Sequence, residues 1–253
     1  MFELTEICPS VDILEAEYLR LLGYPRNCLL EGRARELAEG AQKWFSENGR
    51  PWICARECHS LEWDGDKLRL SGMEISSRRL RETFSTAHAQ SVVLMAVSAG
   101  KECEEQAKRL WEEEKPDEYY FLESYGSAVV EQLVTLANGR ICGWADENEM
   151  AALPHFSPGY AGWNVTGQVA LWELFRRQFT GGLPGELDVL ESGMLRPKKS
   201  QLAVVGLTRD LDKAKRMRSL IPCEQCPMSS CRYRRAPFKH FRARLEDFCD
   251  EET

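Results

Sequence analysis

Ser91-Val92-Val93-Leu94-Met95-Ala96-Val97 leaves no alternate position for a solvent-facing polar side chain, and this run constrains the fold more than any other stretch of the chain. It reads as a buried strand. Ser200 to Leu207 (Ser-Gln-Leu-Ala-Val-Val-Gly-Leu) reads as a second. Around these two strands the apolar residues recur with helical spacing. Val11 to Leu22 places Val11, Leu14, Tyr18, Leu21 and Leu22 three and four residues apart before Gly23-Tyr24-Pro25 stops it. A second helix runs from about Leu30 to Phe45. Trp52 to Leu61, a turn at Trp63-Asp64-Gly65-Asp66 and Lys67 to Leu70 give short strands with a hairpin.

Ser76 to Ser85 is a polar helix, and Lys101 to Glu114 a charged one. Pro116 breaks the charged helix. Asp117 then caps a long helix that runs to Ala137 and closes at Asn138-Gly139. Another helix covers roughly Asn164 to Phe179, and a short basic one follows Leu207. Helices and strands do not alternate strictly, so the expected class is α+β: a mixed, largely antiparallel sheet flanked by long helices, with a small Cys-rich C-terminal tail. The expected division is a domain over residues 1–208 and a basic tail over 209–253.

The sequence has 253 residues, enough for one large domain with an appendage, and 43% hydrophobic residues to fill its core. No apolar run approaches the ~20 residues that a membrane helix needs. The N-terminus puts Glu3 ahead of any basic residue and does not read as a signal peptide, so the expected location is cytoplasmic. The net charge of −7 argues against a general nucleic-acid binder. The tail differs: ten basic residues lie between Lys213 and Arg244, against the single acid Glu224.

Seven of the ten cysteines are scattered, but Cys223, Cys226 and Cys231 fall within nine residues. Thiolates so spaced can wrap a zinc ion or an iron–sulfur cluster, with Cys249 or His240 as a fourth ligand. Zinc would clip the tail, whereas a cluster would suit electron delivery.

The loop His155-Phe156-Ser157-Pro158-Gly159-Tyr160 carries the most specific signal. Pro158 presets φ and Gly159 can take a positive φ, so Ser157 to Tyr160 fits a type II turn. Such a turn can leave backbone N–H and C=O groups for a ligand's polar edges, and Tyr160 adds a ring able to lie against a purine or a cation. As a bare tetrapeptide it is also an ordinary surface turn. On the preceding helix Ser124, Ser127, Ala128 and Glu131 share one side, a face of small residues ending in a carboxylate. Glu131 could accept from an amino acid's ammonium group or from a ribose, or could simply mark the helix's solvent edge.

Taken together, Gly126-Ser127 with Val130-Glu131, Phe156-Ser157-Pro158-Gly159-Tyr160 with Trp163, Leu171-Trp172-Glu173-Leu174-Phe175, and Leu195-Arg196-Pro197-Lys198-Lys199-Ser200 resemble the activation domain of cobalamin-dependent methionine synthase. Leu21-Leu22-Gly23-Tyr24 is similar to the start of stand-alone versions, so the resemblance spans the chain to about residue 208. It implies binding of S-adenosylmethionine and presentation of its methyl group to cobalamin that has lapsed to the cob(II) state, with reduction by a flavodoxin- or ferredoxin-like donor. Carried over, Ser157, Gly159 and Tyr160 fall on the ligand loop and Glu131 on the ligand-facing helix. His155 stands where the family usually has an arginine that meets the ligand's carboxylate. No Asp-x-His-x-x-Gly motif is present, so the resemblance implies that the cobalamin belongs to a partner, a corrinoid methyltransferase or methionine synthase core. A non-catalytic S-adenosylmethionine sensor or docking module is the alternative that the histidine suggests.

Overall fold

The computed structural model describes residues 1–25, 28–59, 61–65, 67–70 and 72–218, without the side chains of 215–218. The chain opens on strand β1 (Glu3–Ile7), not on a helix. Helices α1 (Glu15–Leu21) and α2 (Gly32–Asn48) follow, then β2 (Trp52–Cys58). A small antiparallel sheet comes next, built from β3 (Glu62–Asp64), β4 (Lys67–Leu70) and β5 (Met73–Ser76). After it come α3 (Arg78–Thr86), β6 (Ser91–Ser98), α4 (Lys101–Glu112) and α5 (Pro116–Glu147). The last elements are β7 (Ala151–Ala152), α6 (Gly167–Gln178), β8 (Asp188–Val189), β9 (Leu195–Arg196), β10 (Ser200–Thr208) and α7 (Leu211–Arg218).

The main sheet has the order β1-β2-β6-β10-β7 and is antiparallel at every described pairing. β6 and β10 form its centre, with Ser98 opposite Ser200 and Ser91 opposite Leu207. All eight residues of β6 are buried, because both faces of the sheet are covered. On one face Ile53, Val93, Met95, Val97 and Val205 meet Phe45, Cys103, Val129 and Leu133 from the helical layer. On the other, Cys54, Leu94, Ala96 and Val204 meet Leu68, Ile75, Phe84, Leu171 and Phe175 from the small sheet, α3 and α6. An antiparallel sheet normally leaves one face wet and its strands alternating; two covered faces account for the unbroken apolar runs. The α+β class read from the sequence is the one observed.

Two of the differences from expectation bear on the architecture, the added strand β1 and the end of α5. β1 is an edge strand, with only Leu4 and Glu6 half-shielded between exposed neighbours, and its five residues are too short to advertise an alternating pattern. α5 starts with Pro116 in its first turn, where a missing N–H costs nothing, and does not stop at Asn138-Gly139. It continues because Asn138 turns its amide back onto the Val134 carbonyl at 2.8 Å and because Ile141 and Ala145 still bury completely. At about 1.5 Å per residue α5 is roughly 48 Å long, enough to underlie the whole sheet.

Candidate functional site

Beyond β7 the chain runs antiparallel to β10 at one point. Phe156 N–H donates to the Val204 carbonyl at 2.9 Å, and Val204 N–H donates back to Phe156 at 2.8 Å. This bridge pins the following loop to the sheet. Gly159 has φ +95°, and the Tyr160 N–H donates to the Ser157 carbonyl at 3.1 Å, which is the expected type II turn. The turn is more occupied than the sequence suggested. The Gly159 N–H donates to the Trp163 carbonyl at 2.8 Å, and the Trp163 N–H to the Tyr160 carbonyl at 2.9 Å. The N–H groups of both Gly159 and Tyr160 therefore hold the loop together around the buried Trp163 ring and are not left for a ligand.

Side chains continue the connection. Asn138 on α5 lies 3.2 Å from His155 Nδ1, and His155 Nε2 lies 3.0 Å from the Tyr160 hydroxyl. Gln201, second residue of β10, donates to Ser157 Oγ at 2.8 Å and to Tyr160 Oη at 3.3 Å. The donor count assigns the histidine tautomer. Asn138 Nδ2 gives one N–H to Val134 and one to the ring, so Nδ1 accepts and Nε2–H donates to the tyrosine. His155, Ser157 and Tyr160 thus belong to one network that joins the turn to α5 and β10. Tyr160, half-buried, has its hydroxyl held from two directions.

Glu131 lies on the same side of α5 as Asn138. Seven residues at 100° each bring them within about 20° of one another and roughly 10 Å apart along the axis. Its carboxylate accepts from Arg20 Nη2 of α1 at 2.6 Å, and Arg20 Nε donates to Glu17 at 2.9 Å. Burial alone penalises the Arg20 charge, but Glu131 and then Glu17 outweigh it and raise the guanidinium's pKa. One turn before Glu131, Ser127 Oγ accepts from Lys199 Nζ at 2.9 Å, and Lys198 and Lys199 both pair with Glu123. The face of small residues is where β10's entry approaches the helix. A Cβ on Gly126 would sit 2.8 Å from Cys103 Sγ and 3.2 Å from Lys199 Cγ. Arg20, Lys199 and Gln201 are the residues that the sequence did not single out. Lys199 carried a signal in the Leu-x-Pro-x-Lys-Ser element, but Arg20 carried none, since a basic residue in an amphipathic helix is ordinary.

Cys223, Cys226 and Cys231 lie outside the described residues, and among the described residues no cluster of three His, Cys, Asp or Glu side chains could hold a metal ion. Two clefts lie away from the turn. One of about 470 Å³ is lined by Lys101, Glu104, Lys108, Glu186 and Arg196, and one of about 280 Å³ by Glu57, His59, Trp144 and Arg209. Neither is lined by Glu131 or Tyr160. No described helix is long and apolar enough to cross a membrane.

Among solved structures the chain is similar to one described as the crystal structure of the MetH reactivation domain bound to AdoHcy, with a TM-score of 0.53 and 14% sequence identity over 80% of this chain and 78% of that one. The two chains share a fold. No protein-family profile and no curated protein matches the sequence. The relationship to the methionine synthase reactivation domain is therefore a distant structural one, and it agrees with the motif resemblance in the sequence.

Proposed function

We propose that the chain binds S-adenosylmethionine along α5, between the Ser157–Tyr160 turn and the Arg20–Glu131 pair, and supports reductive methylation of cob(II)alamin carried by a partner corrinoid methyltransferase. The observation that carries the reading is the convergence of the Pro-Gly turn, its anchored tyrosine and an acid-bearing helix face, within a fold shared with an AdoHcy-bound domain. Tyr160 offers a ring held at its hydroxyl, which suits stacking on adenine or contact with a sulfonium. Glu131 is a partly exposed carboxylate about 10 Å along α5 from Asn138, the residue that links the helix through His155 to the tyrosine, so an extended nucleoside joined to an amino acid could run between them. The sulfonium is already an activated methyl donor, so the chain has to supply neither acid nor base; its residues bind, orient and exclude water. The cobalamin is the partner's, and a flavodoxin- or ferredoxin-like donor supplies the electron. Cys223, Cys226 and Cys231 are proposed to hold zinc or an iron–sulfur cluster.

Equilibrium dialysis with labelled S-adenosylmethionine tests the reading. Binding in the micromolar to millimolar range is expected, weakened at least tenfold by Tyr160→Ala; no uptake at millimolar ligand would end it. His155, with its two ring nitrogens turned to Asn138 and Tyr160, favours a second reading as a sensor that binds without transfer. Formation of methylcobalamin when a cob(II) corrinoid protein and a reductant are added would exclude that second reading.

A further inference from the structure

We propose that Arg20, and not His155, recognises the carboxylate of the ligand's amino-acid end, while Glu131 takes its ammonium group. The Arg20–Glu131 pair, buried at the arginine and partly exposed at the glutamate, is then the protein's own stand-in for a bound α-amino acid. The inference rests on the S-adenosylmethionine reading above. Its starting point is a guanidinium only 6% exposed near the end of α1, reaching across to α5. A buried charge is costly unless paired. The pairing here is with a carboxylate on the same side of α5 as the residue that meets His155, itself in contact with the tyrosine of the turn.

Four further points single out Arg20. An α-amino acid carries its ammonium and carboxylate on one carbon, so its site needs opposite charges side by side. Arg20 Nη2 and Glu131 Oε2 are 2.6 Å apart. Lys199, the alternative cation, serves Ser127 and Glu123, a helical turn away. His155 has both nitrogens inside the Asn138–Tyr160 network, with Nδ1 accepting, so turning it to a carboxylate would break two hydrogen bonds. Arginine's forked donors complete the case. Nε donates to Glu17 at 2.9 Å while Nη2 donates to Glu131, so the fork can keep one carboxylate as it exchanges the other for the ligand's. On binding, the Arg20–Glu131 contact opens and two opposite-charge contacts replace it, with no net change in charge.

The test measures binding of S-adenosylmethionine, its decarboxylated analogue and 5′-methylthioadenosine by calorimetry. The wild type should prefer S-adenosylmethionine to the decarboxylated form by tenfold or more. Arg20→Gln should erase that preference while 5′-methylthioadenosine binds as before, and Arg20→Lys should restore part of it. His155→Ala should weaken both sulfonium ligands by the same factor and so keep the preference. Equal wild-type affinity for the two ligands, or loss of the preference in His155→Ala, overturns the assignment to Arg20 even where Arg20→Gln does not fold. If the wild type binds none of the three, it is the proposed function itself that fails.

Discussion

At the residue scale the cysteines show what burial does to chemistry. Cys103 sits between α4, α5 and the sheet, and burial pushes its thiol up to about 12; Cys54 and Cys58 are pushed up to about 11 for the same reason. Alkylation proceeds through the thiolate, so these three stay inert at neutral pH on both access and ionisation. Cys8, by contrast, is exposed. Brief treatment of the native protein with iodoacetamide, followed by peptide mapping, should label Cys8 well before Cys54, Cys58 and Cys103, and all four after unfolding. The Tyr160 hydroxyl supports a second prediction. Tyr160→Phe keeps the ring but strips His155 Nε2 and Gln201 Nε2 of an acceptor in a half-buried place. Urea denaturation should show a loss of about 1–2 kcal/mol, the usual consequence of orphaning such donors. An unchanged midpoint would mean that water replaces the hydroxyl and that the network does not anchor the turn. This level of the site was legible only in part. The turn type followed from Pro158 and Gly159 because it is set by local backbone preference, whereas the partners of its N–H groups and of Glu131 are set by residues that only folding brings near.

Among the secondary-structure elements, α5 is where local signals and tertiary burial disagree. Asn-Gly ordinarily closes a helix, and the sequence read that way at Asn138-Gly139. Ile141 and Ala145 bury without residue, and their packing against the sheet outweighs the glycine's cost. That cost is therefore still present in the folded protein. A Cβ at Gly139 or at Gly143 would meet nothing within 4 Å, and neither glycine is among those with positive φ. Gly139→Ala and Gly143→Ala should each stabilise by about 0.5–1 kcal/mol, the helix-propensity difference, read as a higher melting temperature. Gly206 on β10 predicts the reverse. A Cβ there would lie 2.9 Å from both Leu153 Cδ1 and Phe84 Cε1. Gly206→Ala should cost about 1–3 kcal/mol through overpacking, and a stable variant would show that the Phe84 ring can move aside. Long periodic helices and continuous apolar strands were readable because their patterns repeat. β1 and β7 were not, being short strands whose partners are far away in sequence, and β8 and β9 were not because a two-residue hairpin strand is too short to show a pattern.

For the whole molecule, the proposed site links residues that the chain supplies at long intervals: Arg20 from α1, Glu131 and Asn138 from α5, His155 to Tyr160 from the loop after β7, and Gln201 from β10. These elements come together only in the folded sheet-and-helix arrangement, so a ligand there binds the native state and has no site on the unfolded chain. Linkage then makes stability a measure of occupancy. Ligand at a hundred times its dissociation constant adds about 2.7 kcal/mol, and for a domain of this size that corresponds to a rise of about 5–10 °C in melting temperature. A titration with S-adenosylhomocysteine should give a shift that grows with the logarithm of concentration once the site is saturated. Adenosine, which lacks the amino-acid end, should give a smaller shift at equal concentration, because in the proposed site it can engage Tyr160 but neither Arg20 nor Glu131. A Tyr160→Ala variant with an unaltered far-ultraviolet spectrum should need at least tenfold more ligand for the same shift. The decisive contrast lies between the two nucleosides. Equal shifts would confine binding to the turn and separate Glu131 from the site, and no shift with either at millimolar concentration would leave the shared fold without the proposed ligand.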